Sequence, residues 1–311
     1  MRISLVPAQW PGDILEDVVQ AVRWGTAARV NGIWSSEVAG FDAVGLAVAL
    51  APAAGGAEIL VGPVSPAVRD PALYAMGLAT VAAVATGPVL AVLGSSSPTI
   101  VSRWHGRPSS HPRLDMETAV RALRAIAAGE RTDHEGGDVR SRGFVLRAAR
   151  PSSMEIVIAA QGPRMLRLAG AIADRVVVNL VTPEQATEMA SEVAEGAASA
   201  GRPTPPVAAW LAAGSVDASR ERVAELLKSY VRAPGYAERF AQAGIVVDGR
   251  LVPSAADRLG VFGDADAVAR RIGEYRAAGL AEVALIVSGK DPAGRTIIDG
   301  AAAASRDWSG Q

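Results

Sequence analysis

The chain reads as an α/β protein, a (β/α)8 TIM barrel with inserted loops. Three observations predict this. Short β-branched runs alternate with longer alanine-rich helical patterns eight times along the sequence. The short runs are apolar and mostly unalternating, as expected of strands buried on both faces of a parallel sheet. No Pro/Gly/Ser-rich linker of useful length divides the 311 residues, so one domain over 1–311 is expected. Eight alternations favour a closed barrel over an open, doubly wound sheet.

The expected elements follow in order. Arg2–Val6 is the first strand, and the amphipathic stretch Asp13–Arg29 follows it. Gly32–Ser35 leads to Phe41–Ala51. Glu58–Val64 leads through Asp70-Pro71 into Pro71–Ala85, where a carboxylate and an N1 proline suit a first helical turn. Val89–Leu93 is followed by a long polar loop, 95–112, and then by Leu114–Ala128. Gly129 suits the left-handed residue that closes a helix. Segment 130–146 reads as a small inserted hairpin. Glu155–Ala159 turns at Gly162-Pro163 into Pro163–Ala173. Arg175–Asn179 turns at Thr182-Pro183-Glu184 into Pro183–Ala200, closed by Gly201. Val207–Leu211 precedes Asp217-Ala218-Ser219 and Arg220–Val231. Segment 233–253 is irregular and reads as a lid over the barrel's C-terminal face, where βα-loops collect ligand-binding residues. Ala265–Ala278, closed by Gly279, precedes the eighth strand, Glu282–Val287.

Composition excludes several functions. A formal charge of −1 argues against wholesale nucleic-acid binding. Cysteine is absent, which removes disulfides, thiolate metal sites and thiol nucleophiles together. The histidines are His105, His111 and His134 only, so no metal site is expected. The N-terminal run is too short for a signal peptide, and stretches such as 44–54 fall short of a membrane span. A cytoplasmic protein without membrane partners is expected. No Ser-His-Asp arrangement, phosphate-loop lysine motif or GxGxxG occurs, leaving hydrolase and Rossmann readings unsupported.

Four segments could carry chemistry. In Ala159-Ala160-Gln161-Gly162-Pro163-Arg164 a strand ends in small residues, glycine turns, and proline opens a helix with an arginine in its first turn. Free N–H groups there make an anion site, unless this is an ordinary βα turn with a surface arginine. Gly94-Ser95-Ser96-Ser97, after the fourth strand, offers hydroxyls to a phosphate or a hydroxylated tail, or is a solvated serine-rich loop. Gly62-Pro63-Val64 suggests a bulge or a cis peptide that re-aims the backbone into the barrel mouth, or a strand that simply stops. Glu37, after the second strand, could orient a cofactor or move a proton; residues so placed more often cap the next helix or pair with an arginine.

The run Gln161-Gly162-Pro163-Arg164-Met165-Leu166-Arg167-Leu168-Ala169-Gly170, then Ala173-Asp174, closely resembles a segment of luciferase-like monooxygenases, especially the actinobacterial coenzyme-F420-dependent branch. Val64–Pro71, Val92–Pro98, Gly263–Leu280 and Ala233-Pro234-Gly235-Tyr236 resemble further family segments in the same order. The resemblance implies a deazaflavin, or FMN, at the barrel's C-terminal mouth. The phosphate would lie near Gly162, Pro163, Arg164 and the 94–97 loop, and the ring against the bulged backbone at Gly62-Pro63-Val64. That bulge holds an unusual cis peptide in the family; here the matching bond is Gly62–Pro63. The sequence departs from the family at Asp70, at Ser95–Ser97 and at Ser36-Glu37, where relatives often carry histidine.

The resulting expectation is an F420-dependent oxidoreductase exchanging hydride with a small organic substrate, with Glu37 as proton-handling candidate. An FMN-dependent monooxygenase and a non-catalytic flavin-binding barrel are the alternatives, and a homodimer stays open. Arg103, His105, Arg107, Arg113, Arg164 and Arg167 could line a basic track toward the anionic F420 tail, although exposed arginines are usually only solvated surface.

Overall fold

A computed structural model describes residues 1–149, 154–214, 218–231, 233 and 235–309. Eight parallel strands form one ring: β1 Arg2–Pro7, β2 Gly32–Ser35, β3 Glu58–Val64, β4 Val89–Gly94, β5 Ile156–Ala159, β6 Arg175–Asn179, β7 Val207–Gly214 and β8 Glu282–Val287. Each pairs with the next, and β8 pairs back onto β1 with Arg2 opposite Glu282. Closure leaves no edge on the ring, and the expected (β/α)8 barrel is the fold. A short strand, Gly260–Phe262, lies beside the top of β7.

The helices are α1 Leu15–Ala28, α2 Ala43–Leu50, α3 Pro71–Val84, α4 Pro112–Ala128, α5 Pro163–Ile172, α6 Pro183–Ser199, α7 Ala218–Tyr230, α8 Ala237–Gln242, α9 Ala255–Leu259, α10 Ala265–Ala277 and α11 Ala293–Ser309. The caps read from sequence act where described. Asp70 accepts the N–H groups of Ala72 and Leu73 at 3.0 and 2.9 Å. Thr182 and Gln185 form a reciprocal capping box, and Gly129 closes α4 at φ 82°. Asp70, one of the departures from the family resemblance, here starts a helix. The Asp217 cap falls outside the described residues, as does Pro234.

Some elements depart from expectation. The last helix of the barrel is α11, which follows the eighth strand and was not among the expected helices. Segment 133–142 is an antiparallel hairpin, in keeping with the inserted hairpin expected at 130–146. The 95–112 loop contains a wide helical turn, Thr99–Trp104. The 233–253 segment is not irregular throughout: it contains α8 and a two-residue antiparallel pair. Phe240 and Ile245 of this segment are fully buried against Leu180, Leu227 and Leu259, and that burial organises the chain there.

Inside the ring, Val6, Trp34, Leu60, Val92 and Val177 pack together, with Trp34 edge-on to Trp210 at 5.1 Å. A polar plug closes the N-terminal end. Arg175 pairs with Glu58 and Glu155 at 2.8 Å each and lies 3.9 Å from Glu282. Glu282 accepts the Ser4 hydroxyl at 2.5 Å, which in turn accepts the Trp34 indole N–H at 2.9 Å. Outside the ring, α5 and α6 cross in close contact. A Cβ on Gly170 would sit 2.0 Å from Val193 O, and one on Gly196 would sit 1.9 Å from Arg167 O.

Candidate functional site at the barrel mouth

The C-terminal ends of β2 to β6 bring Glu37, Gly62, Gly94, Ala159 and Asn179 to one face of the barrel. A cavity of about 460 Å³ lies at the opposite end, lined by Met1, Arg2, Asn31, Arg276, Leu280, Ala281 and Ser305. Barrel enzymes work at the strands' C-terminal face, so the mouth is the candidate site.

The bend in β3 is a bulge: pairing with β4 slips between Val61 and Val64. The Gly62–Pro63 peptide is cis and Gly62 has φ 117°. Gly94 makes room for the displaced chain, since a Cβ there would lie 3.0 Å from Pro63 Cβ. A bulge leaves ladder groups without partners, and α3 supplies them. The buried Tyr74 hydroxyl donates to Val61 O at 2.5 Å and accepts from Val92 N at 2.9 Å, bridging the two strands where their own pairing slips. Burial raises the Tyr74 pKa well above the ordinary phenol value, which keeps the hydroxyl a donor. Tyr74 is a residue that sequence reasoning missed. Tyr74→Phe should cost about 1–3 kcal/mol, the range for a buried group left unsatisfied. Urea unfolding checks this, and a loss under about 0.5 kcal/mol would show that the bridge contributes little.

After β4, Ser95 and Ser97 are half-buried and Ser96 is exposed at φ 61°. Ser95 O lies 3.4 Å from the Ser65 hydroxyl, and Ser97 Oγ accepts from Ile100 N at 3.3 Å. After β5, Ala160 is buried, Gly162 has extended backbone, and a Cβ on Gly162 would meet nothing within 4 Å. Pro163 and Arg164 are exposed in the first turn of α5, and Arg164 has no partner among the described residues. The structure thus brings the Gly62-Pro63-Val64 bulge, Gly94 and Ala159 together: the Cβ built on Gly94 lies 3.5 Å from that of Ala159.

Glu37 sits at the mouth in the company foreseen by its plainer reading. One carboxylate oxygen accepts the Ala43 N–H at 2.9 Å, at the start of α2, and lies 3.5 Å from Arg69. Arg69 also pairs with Asp42. The other Glu37 oxygen has no partner among the described residues. Two members of the basic track are engaged elsewhere: Arg167 with Glu192 and Glu195 at 2.7 and 3.2 Å, and Arg113 with Glu117 at 3.9 Å. Arg103, Arg107 and Arg164 remain unpaired among the described residues.

Helix α8 adds a residue that sequence reasoning passed over. Arg239 reaches into the mouth and donates to Gln161 Oε1 and, at 3.0 Å each, to Asn179 O and Leu180 O. Its guanidinium lies over Tyr236, 4.8 Å from the ring centroid. The Tyr236 hydroxyl accepts from Asn179 Nδ2 at 3.0 Å, and burial pushes that phenol up to about 12. The spacing Tyr236, Arg239, Phe240 on one helical face was the available signal.

Comparison with known proteins adds to this geometry. Residues 11–282 match the family described as luciferase-like monooxygenase. Over 141 residues the chain is 27 % identical to 5,10-methylenetetrahydromethanopterin reductase of Methanolobus tindarius; the match covers 45 % of this chain and 43 % of that one. An F420-dependent secondary alcohol dehydrogenase, solved with an F420–acetone adduct, superposes with TM-score 0.80 at 18 % identity over 97 % of both chains. The oxygenating constituent of 3,6-diketocamphane monooxygenase from Pseudomonas putida, in complex with FMN, superposes with TM-score 0.74 at 16 % identity over 98 % of both. Among the described residues no helix is long and apolar enough to cross a membrane, and no cluster of side chains could hold a metal ion.

Proposed function

The chain belongs to the luciferase-like monooxygenase family, and from that premise we propose that it is a coenzyme-F420-dependent oxidoreductase acting on a small organic molecule. The observation that carries this reading is the mouth itself. Gly62 and Gly94 let β3 and β4 close into the bulge, Gly162 leaves open space beside the backbone where a phosphate-bearing cofactor would approach, and an arginine unpaired among the described residues stands in the first turn of α5. Gly62, Pro63 and Val64 would support the ring. Ser95, Ser96, Ser97, Gly162, Pro163 and Arg164 would hold the phosphate, and Ala159, Ala160 and Gln161 would line the path between them. The bound deazaflavin supplies hydride transfer. The protein's part is orientation, exclusion of water and delivery of any proton.

The test is a titration of the apoprotein with F420 and with FMN at low and moderate ionic strength. F420 should bind more tightly and lose affinity as salt screens the exposed arginines over about 8 Å. Arg164→Ala should weaken F420 binding modestly, since an exposed contact contributes about 1 kcal/mol or less. FMN binding at least tenfold better, a gap of about 1.4 kcal/mol, would overturn the F420 assignment in favour of the FMN-dependent monooxygenase.

Glu37 takes the proton-handling role in this reading, through the carboxylate oxygen that no described residue engages. Glu37→Gln keeps an oxygen for the Ala43 N–H while removing the exchangeable acid. Turnover should fall by about a hundredfold or more, within the range for general acid–base groups, while F420 affinity stays nearly unchanged. Equal losses in turnover and affinity, or none, would assign Glu37 to the start of α2 and to Arg69.

A further inference from the structure

The barrel handles Arg175 and Arg239 in opposite ways. At the N-terminal end Arg175 is ringed by Glu58, Glu155 and Glu282, and those carboxylates raise its pKa despite burial. At the mouth Arg239 is more deeply enclosed, only 8 % exposed. Yet no carboxylate among the described residues lies within ion-pair distance of it. Its N–H groups meet neutral acceptors instead: Gln161 Oε1 and the carbonyls of Asn179 and Leu180. Its Nε is buried without a partner, and so is Oδ1 of the adjacent Asn179. Tyr236 and Phe240 lie against the guanidinium with their rings, 4.8 and 5.7 Å from the centroids, and neither ring carries a charge to balance it. Burial lowers the Arg239 pKa to about 10, and the group stays a cation at neutral pH.

Buried charges in proteins are paired, since an enclosed ion without a partner is costly. We propose that Arg239 is the anion-recognition residue of the mouth, and that the ligand brings the negative charge which no described carboxylate supplies. The role rests on the mouth being the ligand site, as in the reading above. The position fits a lid element. Arg239 belongs to α8, its acceptors belong to the β5 and β6 ends, and an anion drawn to it would tie the lid to the barrel. Two ligand groups share the required chemistry: the phosphate of a cofactor and a carboxylate on a substrate. Gln161, which accepts from Arg239, is next to Gly162 in the phosphate turn, so both groups are within the argument.

The experiment is thermal unfolding of the apoprotein with inorganic phosphate, acetate or neutral acetamide, at constant ionic strength, for the wild type, Arg239→Gln and Arg239→Lys. One of the two anions should raise the wild-type Tm saturably and acetamide should not. Arg239→Gln should lose about tenfold or more in apparent anion affinity, because a buried charge loses its partner. Arg239→Lys, which keeps the charge but not the fork, should retain part of the response. A preference for phosphate together with weakened F420 binding in Arg239→Gln identifies the cofactor's phosphate. A preference for acetate with F420 binding unchanged identifies a substrate carboxylate. If neither anion acts on the wild type beyond acetamide, or if Arg239→Gln responds as the wild type does, the proposal is overturned and Arg239 is a clamp for α8. Should Arg239→Gln fail to fold, the wild-type contrast and Arg239→Lys still decide. If F420 fails to bind while the anion response holds, the cofactor assignment falls and the anion site stands.

Discussion

Gly62→Ala should destabilise the protein by about 3 kcal/mol or more, among the largest effects of any single methyl group added to this chain. Two costs combine. Gly62 has φ 117°, a conformation that side chains rarely adopt and that costs on the order of 1–3 kcal/mol for a non-glycine residue. The added Cβ would also lie 2.4 Å from Val92 O and 2.7 Å from Val64 N. Both are backbone atoms, so no rotamer change relieves the contact. Relief requires β3 to move away from β4, which breaks the Tyr74 bridge between Val61 and Val92 as well. Urea unfolding with the wild-type m-value as control measures the loss. A change below about 1 kcal/mol, an ordinary value for a point mutation, would mean that the bulge yields easily and that its shape is not held by these contacts.

Gly170→Ala and Gly162→Ala should behave oppositely, although both glycines belong to the most specific run of the sequence. In an ordinary helix interior, glycine to alanine gains about 1 kcal/mol. At Gly170 the new Cβ would fall 2.0 Å from Val193 O on α6, and overpacking against a fixed neighbour costs about 1–3 kcal/mol or more. The steric term wins because α6 has no slack: Gly196 is itself pressed against Arg167 O at the same crossing. Gly170→Ala should therefore lose about 2 kcal/mol net. Gly162 is at the N-cap of α5 with φ −95° and open space around it, so alanine there should change stability by no more than about 1 kcal/mol. Its effect should appear instead in F420 affinity, about tenfold, or 1.4 kcal/mol. Thermal unfolding and cofactor titration of both variants give the four numbers. Gly162→Ala with wild-type affinity would remove the phosphate turn from the proposed site, and a stable Gly170→Ala would show that α5 and α6 can part without cost.

That contrast shows how much of the site was legible. The run from Gln161 to Gly170 is recognisable as a unit, yet it contains two physical jobs. Gly162, Pro163 and Arg164 shape a turn at the mouth; Gly170, two helical turns on, lets α5 lie against α6. A linear motif does not separate them, because the second job depends on where α6 lies in space. Glu37 was legible as a carboxylate at a strand end, but its engagement by Ala43 and Arg69 was offered only as the commoner alternative. Arg69 is 32 residues away in sequence and reaches Glu37 only after β2 and β3 are paired.

The sequence by itself determined the strands, their order and closure into a ring, the helix starts at Asp70 and Thr182, the helix end at Gly129 and the break at Gly62-Pro63. These follow from apolar periodicity, from capping side chains and from the backbone freedoms of glycine and proline, all written within a few neighbouring residues. Only the tertiary structure decided that Tyr74 would bridge the bulge, that Arg167 would turn from the mouth toward α6, and that Arg239 would be buried with no counter-charge among the described residues. Each of those depends on groups brought from 13 to 78 positions away by closure of the barrel. What a polar side chain meets there is fixed by the packing of whole elements, and no local pattern of residues encodes it.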